Sequence, residues 1–142
     1  MTSLPFLAPR EGGGLSPLVL APVRAGFPSP ADDYLDDNIN LHEYLVDDPP
    51  ATFIVRVRGD SMIGAGIADG DLLVVDKGLT PVNGDIVVAV IDGEFTVKRL
   101  YRRAGACVLA PENSAYPPIS LQPGQELLVW GVVTGAVKKF RR

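Results

Sequence analysis

From residue 51 onward, apolar and polar positions follow one another in short runs that predict β-strands. Phe53, Val55 and Val57 alternate with their neighbours, and further runs cover residues 72–75, 86–91, 94–101, 108–110 and 127–133. Asp92-Gly93 lies between the runs at 86–91 and 94–101, and such a two-residue connection is the strongest short signal for a β-hairpin. Short strands at regular spacing, separated by turn sequences, predict a mainly β fold, namely a small, curled antiparallel β-domain.

Residues 32–48 carry a different pattern, which predicts one or two short helices. Asn40 can cap a helix, and Glu43 follows three residues later at the capping-box spacing. Pro49 and Pro50 end the pattern, because proline lacks the N–H that a continuing helix requires.

Residues 1–31 are rich in proline and glycine and predict an extended N-terminal arm. Within them, Leu18-Val19-Leu20 is an extended apolar tripeptide that could add to a sheet edge. A disordered tail is the alternative. The predicted organisation is therefore an arm over residues 1–31 and a β-domain over residues 32–142.

Composition narrows the classes of function. A chain of 142 residues with 46% hydrophobic residues suits one compact domain, and a net charge of −4 argues against a nucleic-acid binder driven by bulk charge. The single cysteine excludes an intrachain disulfide and a cysteine metal cluster, and suits a reducing compartment. No apolar run is long enough to predict a membrane helix, and the N-terminus lacks the pattern of a secretory signal, so we expect a cytoplasmic protein.

Ser61 is a candidate nucleophile because it follows the first strand in a turn, Gly59-Asp60-Ser61. Such a position exposes the hydroxyl and directs neighbouring N–H groups outward, which are the two requirements of acyl transfer. The alternative is an ordinary turn, since all three residue types favour turns. The sole histidine, His42, lies on the predicted helix and gives no Ser-His-Asp arrangement.

Lys98 is the candidate base. On the returning hairpin strand, Thr96, Lys98 and Leu100 share one face, because side chains alternate along a strand. Burial against apolar neighbours disfavours the ammonium form and can lower a lysine pKa far enough for neutral lysine to serve a serine as base. The alternative is a strand lysine whose amine lies in water.

Several blocks of the chain resemble, in order and spacing, the LexA/UmuD family of Ser/Lys self-cleaving peptidases. The resemblance extends over nearly all of residues 18–137. The blocks that carry it are Ala25-Gly26-Phe27-Pro28-Ser29-Pro30-Ala31, Gly59-Asp60-Ser61-Met62, Gly70-Asp71-Leu72-Leu73-Val74-Val75-Asp76, Asn83-Gly84-Asp85-Ile86-Val87, Asp92-Gly93-Glu94-Phe95-Thr96-Val97-Lys98, Asn113-Ser114-Ala115-Tyr116 and Trp130-Gly131-Val132-Val133.

The resemblance implies a role for each matching residue. Ser61 corresponds to the family nucleophile, Lys98 to the general base, and Ala25-Gly26 to the scissile bond. Small residues suit that bond because the carbonyl must come within about 3 Å of the serine oxygen. The backbone N–H groups of Ser61 and Met62 are the expected oxyanion hole, and neither a cofactor nor a metal is expected.

The resemblance also implies regulation and partners. A RecA filament on single-stranded DNA would stimulate cleavage after DNA damage, in the SOS response. The trimmed homodimer would then serve a UmuC-type polymerase in translesion synthesis.

Two absences are also expected. The arm has no helix-turn-helix for sequence-specific DNA binding, and the chain has no membrane anchor. A non-catalytic β-domain that binds a polymerase or another partner is the alternative function, and an inactive β-domain is a third.

Overall fold

A computed structural model describes residues 14–19, 25–26 and 35–141 of the chain. The chain divides into two compact units, Met1–Asp47 and Asp48–Arg142. The boundary predicted from the sequence, between residues 31 and 32, lies outside the described residues.

The first unit contains a two-stranded sheet and one short helix. Strand β1 (Ser16–Val19) pairs antiparallel with β2 (Leu35–Ile39), and helix α1 (Leu41–Leu45) follows. The cap predicted at Asn40 is confirmed, since its side chain accepts a hydrogen bond of 3.0 Å from the Glu43 N–H.

The prediction of helix was wrong for residues 35–39, which form strand β2. The middle of this strand is Asp-Asp-Asn, and these side chains favour helix caps and turns over helix interiors. Pairing with Ser16–Val19 supplies backbone partners that a single-sequence pattern does not reveal. Leu18 and Val19 belong to β1, so this part of the apolar tripeptide pairs with β2 in a two-stranded sheet, and Leu20 lies outside the described residues.

The second unit is a seven-stranded antiparallel sheet with the strand order β3-β4-β9-β5-β6-β7-β8. A 3₁₀-helix (Pro49–Ala51) precedes it, and a second one (Ile63–Ala65) lies between β3 and β4. The strands are β3 (Thr52–Arg56), β4 (Leu72–Asp76), β5 (Ile86–Ile91), β6 (Glu94–Arg103), β7 (Ala106–Ala110), β8 (Ile119–Ser120) and β9 (Leu127–Val137).

The mainly β fold class is confirmed, and six of these seven strands coincide with predicted runs. The predicted hairpin joins β5 to β6 through Asp92 and Gly93, both of which have positive φ. Only β8 has no counterpart among the predictions, because two residues are too few to show a period.

Each face of the sheet carries its own cluster of buried apolar side chains. Val88 belongs to the cluster that contains Met62 and Leu73, whereas its neighbours Val87 and Ala89 belong to the cluster that contains Leu100. This division follows from the alternation of side chains along β5. Register shifts at Val74/Val75 and Val88/Ala89 interrupt the pairing with β9, and such bulges bend and twist a sheet.

Candidate active site

Ser61 lies on a loop that leaves the end of β3 and is held at its base by backbone hydrogen bonds. The N–H of Val57 donates to the carbonyl of Asp71 at 2.8 Å, and the N–H of Gly70 donates to the carbonyl of Val57 at 2.9 Å. Gly59 has a φ of +94°, a left-handed conformation that favours glycine. The chain therefore bends at Gly59 and Asp60, immediately before Ser61.

Met62 anchors the same loop in the core. It is only 2% exposed and packs in the cluster that contains Val57 and Ile67. Asp60 on the other side of Ser61 is exposed, and Ser61 itself is half-buried. A buried neighbour on one side and a solvated neighbour on the other leave the serine hydroxyl at the boundary between core and solvent.

The structure brings Lys98 to Ser61, although 37 residues separate them in the chain. The Nζ atom of Lys98 lies 3.2 Å from the Oγ atom of Ser61. It also donates to the Thr96 hydroxyl at 2.7 Å and to the Val97 carbonyl at 3.1 Å. The shared face predicted for Thr96 and Lys98 is therefore observed.

Burial changes the acid–base behaviour of Lys98. The residue is 8% exposed, and no acidic side chain accepts a hydrogen bond or ion pair from its amine within the described residues. Desolvation by burial therefore lowers the pKa of Lys98 from its ordinary value of 10.5. The fold thus favours the neutral amine, which is the form able to accept a proton.

The three contacts of the amine match a neutral lysine. A neutral amine has two hydrogens and one lone pair, and the Val97 carbonyl can only accept a hydrogen. If the Thr96 hydroxyl accepts the second hydrogen, the lone pair remains for the Ser61 hydroxyl. In this arrangement, Ser61 donates its hydroxyl proton to Lys98.

Backbone donors without internal acceptors surround the serine. In the part of the chain that the structure describes, the N–H groups of Asp60, Ser61 and Met62 have no hydrogen-bond acceptor. Buried N–H groups are nearly always paired, so a free donor beside buried Met62 is exceptional. Free N–H groups beside a serine hydroxyl can bind a developing oxyanion.

A mainly apolar cleft of about 530 Å³ opens beside the pair. Its volume falls within the range of small-molecule and peptide side-chain pockets. Trp130 forms part of one wall and packs against Phe95 and Phe53, with ring centroids 6.1 and 5.4 Å away. The cleft is lined by Val55, Arg56, Val57, Arg58, Gly59, Ser61, Met62, Val88, Phe95, Thr96, Val97, Lys98 and Trp130.

The predicted scissile pair, Ala25 and Gly26, belongs to the first unit. Both residues are exposed and form a bend. A Cβ atom added at Gly26 would meet no atom within 4 Å. The peptide bond between them is therefore open to solvent.

The sequence analysis assigned no role to two sets of residues at the site, of which the first is Thr96 alone. Thr96 was placed on the face of Lys98 without a role, although its spacing of two residues on a strand already put the hydroxyl within reach. The second set is Glu112, Asn113 and Tyr116, which contact the loop around Ser61. Asn113 and Tyr116 belong to a block that resembles the family, but the resemblance assigned them no role. Their contacts with the loop around Ser61 could not be predicted, because more than 45 residues separate them from Ser61.

Two structural features are absent from the described residues. Residues 14–19, 25–26 and 35–141 hold no group of three or more His, Cys, Asp or Glu side chains that could bind a metal ion. Among the same residues, no helix is long and apolar enough to cross a membrane.

Comparison with known proteins assigns the chain to a family. Protein SamA of Salmonella typhimurium strain LT2 is 49% identical over 126 residues, or 89% of this chain and 87% of SamA. Protein MucA of Escherichia coli is 50% identical over 119 residues, or 83% of this chain and 81% of MucA. LexA repressor 1 of Geobacter sulfurreducens is 42% identical over 130 residues, or 91% of this chain and 64% of the repressor. The profile of the family described as Peptidase S24-like matches residues 17–134, and the chain therefore belongs to this peptidase family as a UmuD-like member of the LexA/UmuD group.

Proposed function

We propose that the protein is a serine peptidase that cleaves its own chain between Ala25 and Gly26. The observation that carries this proposal is the separation of 3.2 Å between the Ser61 hydroxyl oxygen and the buried amine of Lys98. Membership of a peptidase family supports it, as does the exposed bend that holds the predicted scissile bond.

The reaction begins when Ser61 transfers its hydroxyl proton to Lys98. The serine oxygen bonds to the carbonyl carbon of Ala25, and the carbonyl oxygen becomes an oxyanion that the N–H groups of Ser61 and Met62 bind. When this intermediate collapses, the C–N bond breaks and the Lys98 ammonium returns its proton to the nitrogen of Gly26. The leaving group is the amino group of Gly26, which becomes a free amino terminus, and residues 1–25 remain as an ester on Ser61.

Water then completes the hydrolysis. Lys98 accepts a proton from a water molecule, whose oxygen attacks the ester carbon. The serine oxygen departs and recovers its proton from Lys98. The products are residues 1–25, ending in a carboxylate, and residues 26–142, and the enzyme has returned to its starting protonation state.

We further propose that this cleavage serves the bacterial response to DNA damage. Identity of about half of all aligned residues with SamA and MucA supports the assignment to UmuD-like mutagenesis proteins. In this proposal, a RecA filament on single-stranded DNA stimulates cleavage in the cytoplasm by favouring the docking of the arm in the cleft. The trimmed homodimer then acts as an accessory subunit of a UmuC-type polymerase.

Incubation of the purified full chain tests the peptidase proposal. Intact mass is measured over time at neutral pH and near pH 10, where a larger fraction of lysine is neutral. We expect a fragment that begins at Gly26, formed faster at high pH and absent from Ser61→Ala and Lys98→Ala variants. Cleavage that persists in both variants indicates a contaminating protease, and no cleavage at either pH or with added RecA filament rejects the proposal.

The second candidate function is a binding module whose partner contact does not require cleavage. It is favoured by the exposure of large apolar side chains on the sheet, since Phe95 is 66% exposed and Leu128 is 61% exposed. A polymerase pull-down with the Ser61→Ala variant separates the two functions. Undiminished binding by the uncleaved variant supports the module, whereas binding only after cleavage supports a peptidase switch.

A further inference from the structure

The loop that follows β7 forms hydrogen bonds with the loop around Ser61, outside the cleft. We name residues 111–116 the clamp loop. Its Glu112 N–H donates to the carbonyl of Ser61 at 2.8 Å, and its Glu112 carbonyl accepts the Gly64 N–H at 2.7 Å. These two bonds join the two loops by backbone groups alone.

The clamp loop also holds Asp60, the residue before the serine. The side-chain amide of Asn113 donates to the Asp60 carbonyl at 2.9 Å. The hydroxyl of Tyr116 donates to the Asp60 carboxylate at 2.6 Å. Asp60 is therefore held at its backbone and at its side chain by the same neighbouring loop.

These contacts determine where two backbone donors point. A peptide unit is planar, and its C=O and N–H groups point in opposite directions when the bond is trans. The described chain has no cis bond. The Asp60 carbonyl and the Ser61 N–H share one such unit. The carbonyl accepts the Asn113 amide at 2.9 Å and, more weakly, the Ile63 N–H at 3.2 Å, so the Asn113 amide contributes the shorter of the two bonds that set the direction of the Ser61 N–H. The Glu112 N–H acts in the same way on the unit that carries the Met62 N–H.

In both peptide units the carbonyl is hydrogen-bonded, whereas the N–H group is not, within the part of the chain that the structure describes. Both carbonyls, of Asp60 and Ser61, accept a bond from the clamp loop. Among the described residues, neither N–H on the opposite side, of Ser61 or Met62, has an acceptor. An arrangement that anchors one end and leaves the other end unpaired suits donors that are kept ready for a reacting group.

We propose that Asn113 is a positioning residue of the self-cleavage reaction, which aims the Ser61 N–H at the oxyanion of the tetrahedral intermediate. This inference rests on the proposed function. Asn113 does not line the cleft, so it acts on the reaction through the Asp60–Ser61 peptide unit. A rigid donor stabilises the oxyanion without reorganisation, whereas a rotating peptide unit does so only part of the time.

The side chain of Asn113 has two separable contacts. Its amide nitrogen donates to Asp60, and its carbonyl oxygen accepts the Ala115 N–H at 2.9 Å within the clamp loop. Asn113→Asp keeps an acceptor for Ala115 and removes the donor, but it adds a negative charge. Asn113→Ala removes both contacts and adds no charge. Agreement between the two variants therefore isolates the bond to Asp60.

Self-cleavage of the full chain at the alkaline plateau tests the inference. We expect both variants to slow cleavage about 10- to 100-fold, a smaller effect than the roughly 10²- to 10³-fold loss for deletion of an oxyanion donor. In Asn113→Ala, the pH midpoint of the rate should equal that of the unmodified protein, because Lys98 is unchanged. Asn83→Asp is the matched control: its Oδ1 accepts the Arg102 N–H, it lies outside the cleft, and it should leave the rate unchanged.

Three results would overturn the inference. The first is cleavage by Asn113→Ala within twofold of the unmodified rate. The second is a lowered cleavage rate for Asn113→Asp together with a normal cleavage rate for Asn113→Ala, because this result assigns the effect to the added charge. The third is a rate that becomes normal once divided by the folded fraction, measured by circular dichroism, because that result indicates a purely structural role.

Labelling of Ser61 by a fluorophosphonate separates this inference from the proposed function. The phosphoryl oxygen of the reagent would bind the same N–H groups of Ser61 and Met62, but labelling does not require cleavage of the chain. If the unmodified protein is labelled but does not cleave itself, the proposed function fails, and slower labelling of Asn113→Ala still supports the inference. If Ser61 is neither labelled nor able to cleave, both are rejected.

Discussion

The amine of Lys98 lies 2.7 Å from the hydroxyl of Thr96, closer than its 3.2 Å separation from Ser61. Thr96 precedes Lys98 by two residues on β6, so the regular geometry of the strand holds both side chains on one face. The threonine hydroxyl therefore restricts the rotation of the amine and orients it toward the serine.

Removal of this hydroxyl should slow cleavage without unfolding the protein. Thr96→Val keeps the branched shape but deletes the acceptor, and a neutral hydrogen bond contributes about 1 kcal/mol, so we expect a rate lower by about 5- to 10-fold. Thr96→Ser keeps the hydroxyl and is the matched control. Intact mass over time is the measurement, and a Thr96→Val rate equal to the unmodified rate would contradict this role.

The rate of cleavage should rise with pH, with a midpoint below pH 10.5. Burial lowers the pKa of Lys98 from 10.5, and the base is active only when neutral, so the midpoint of the rise lies at this lowered pKa. Initial rates of fragment formation from pH 6 to pH 11 give the midpoint. A midpoint at or above 10.5 would contradict a desolvated lysine.

The same burial predicts a stability change that does not depend on cleavage. Between the lowered pKa and 10.5, the unfolded chain binds more protons at Lys98 than the folded chain, so this group adds stability as pH rises. Below the lowered pKa, the full cost of burying the ammonium applies. Lys98→Met should therefore raise the melting temperature by a few degrees at pH 7, and the gain should shrink toward pH 10.5.

Calorimetry of Lys98→Met in the Ser61→Ala background measures this change without interference from cleavage. Lys139→Met, at an exposed position near the C-terminus, is the control for the loss of a lysine charge without burial. A Lys98→Met melting temperature that is lower at pH 7, or a gain that grows with pH, would contradict the predicted sign.

Gly64 should tolerate no side chain, because the clamp loop passes too close. A Cβ atom built on it would lie 2.6 Å from the carbonyl oxygen of Glu112, which is backbone and cannot rotate away. We expect Gly64→Ala to cost about 1–3 kcal/mol of unfolding free energy and to slow cleavage, since the loop that carries Ser61 must shift. Urea denaturation measures the first effect. Gly14→Ala, whose added Cβ meets no atom within 4 Å, is the control, and equal stability of the two variants would contradict the contact.

Local sequence patterns determined the larger elements and the identity of the chemical groups. The hairpin of β5 and β6 follows from alternation around Asp92-Gly93, because period and turn chemistry act over a few residues. The helix cap at Asn40 was predictable for the same reason, because its hydrogen-bond partner, the Glu43 N–H, is only three residues away. Ser61 and Lys98 were also recognisable, since their neighbouring blocks resemble a known family.

Only the tertiary structure decided the contacts between distant segments. Residues 35–39 became a strand because Ser16–Val19 pairs with them, and their own propensity did not require it. The approach of Asn113 and Tyr116 to Asp60 across more than 50 residues depends on the tertiary contact between the loop that follows β7 and the loop that follows β3. The lowered pKa of Lys98 likewise arises from burial, because desolvation depends on every segment that covers the amine, and no single stretch of sequence contains that information.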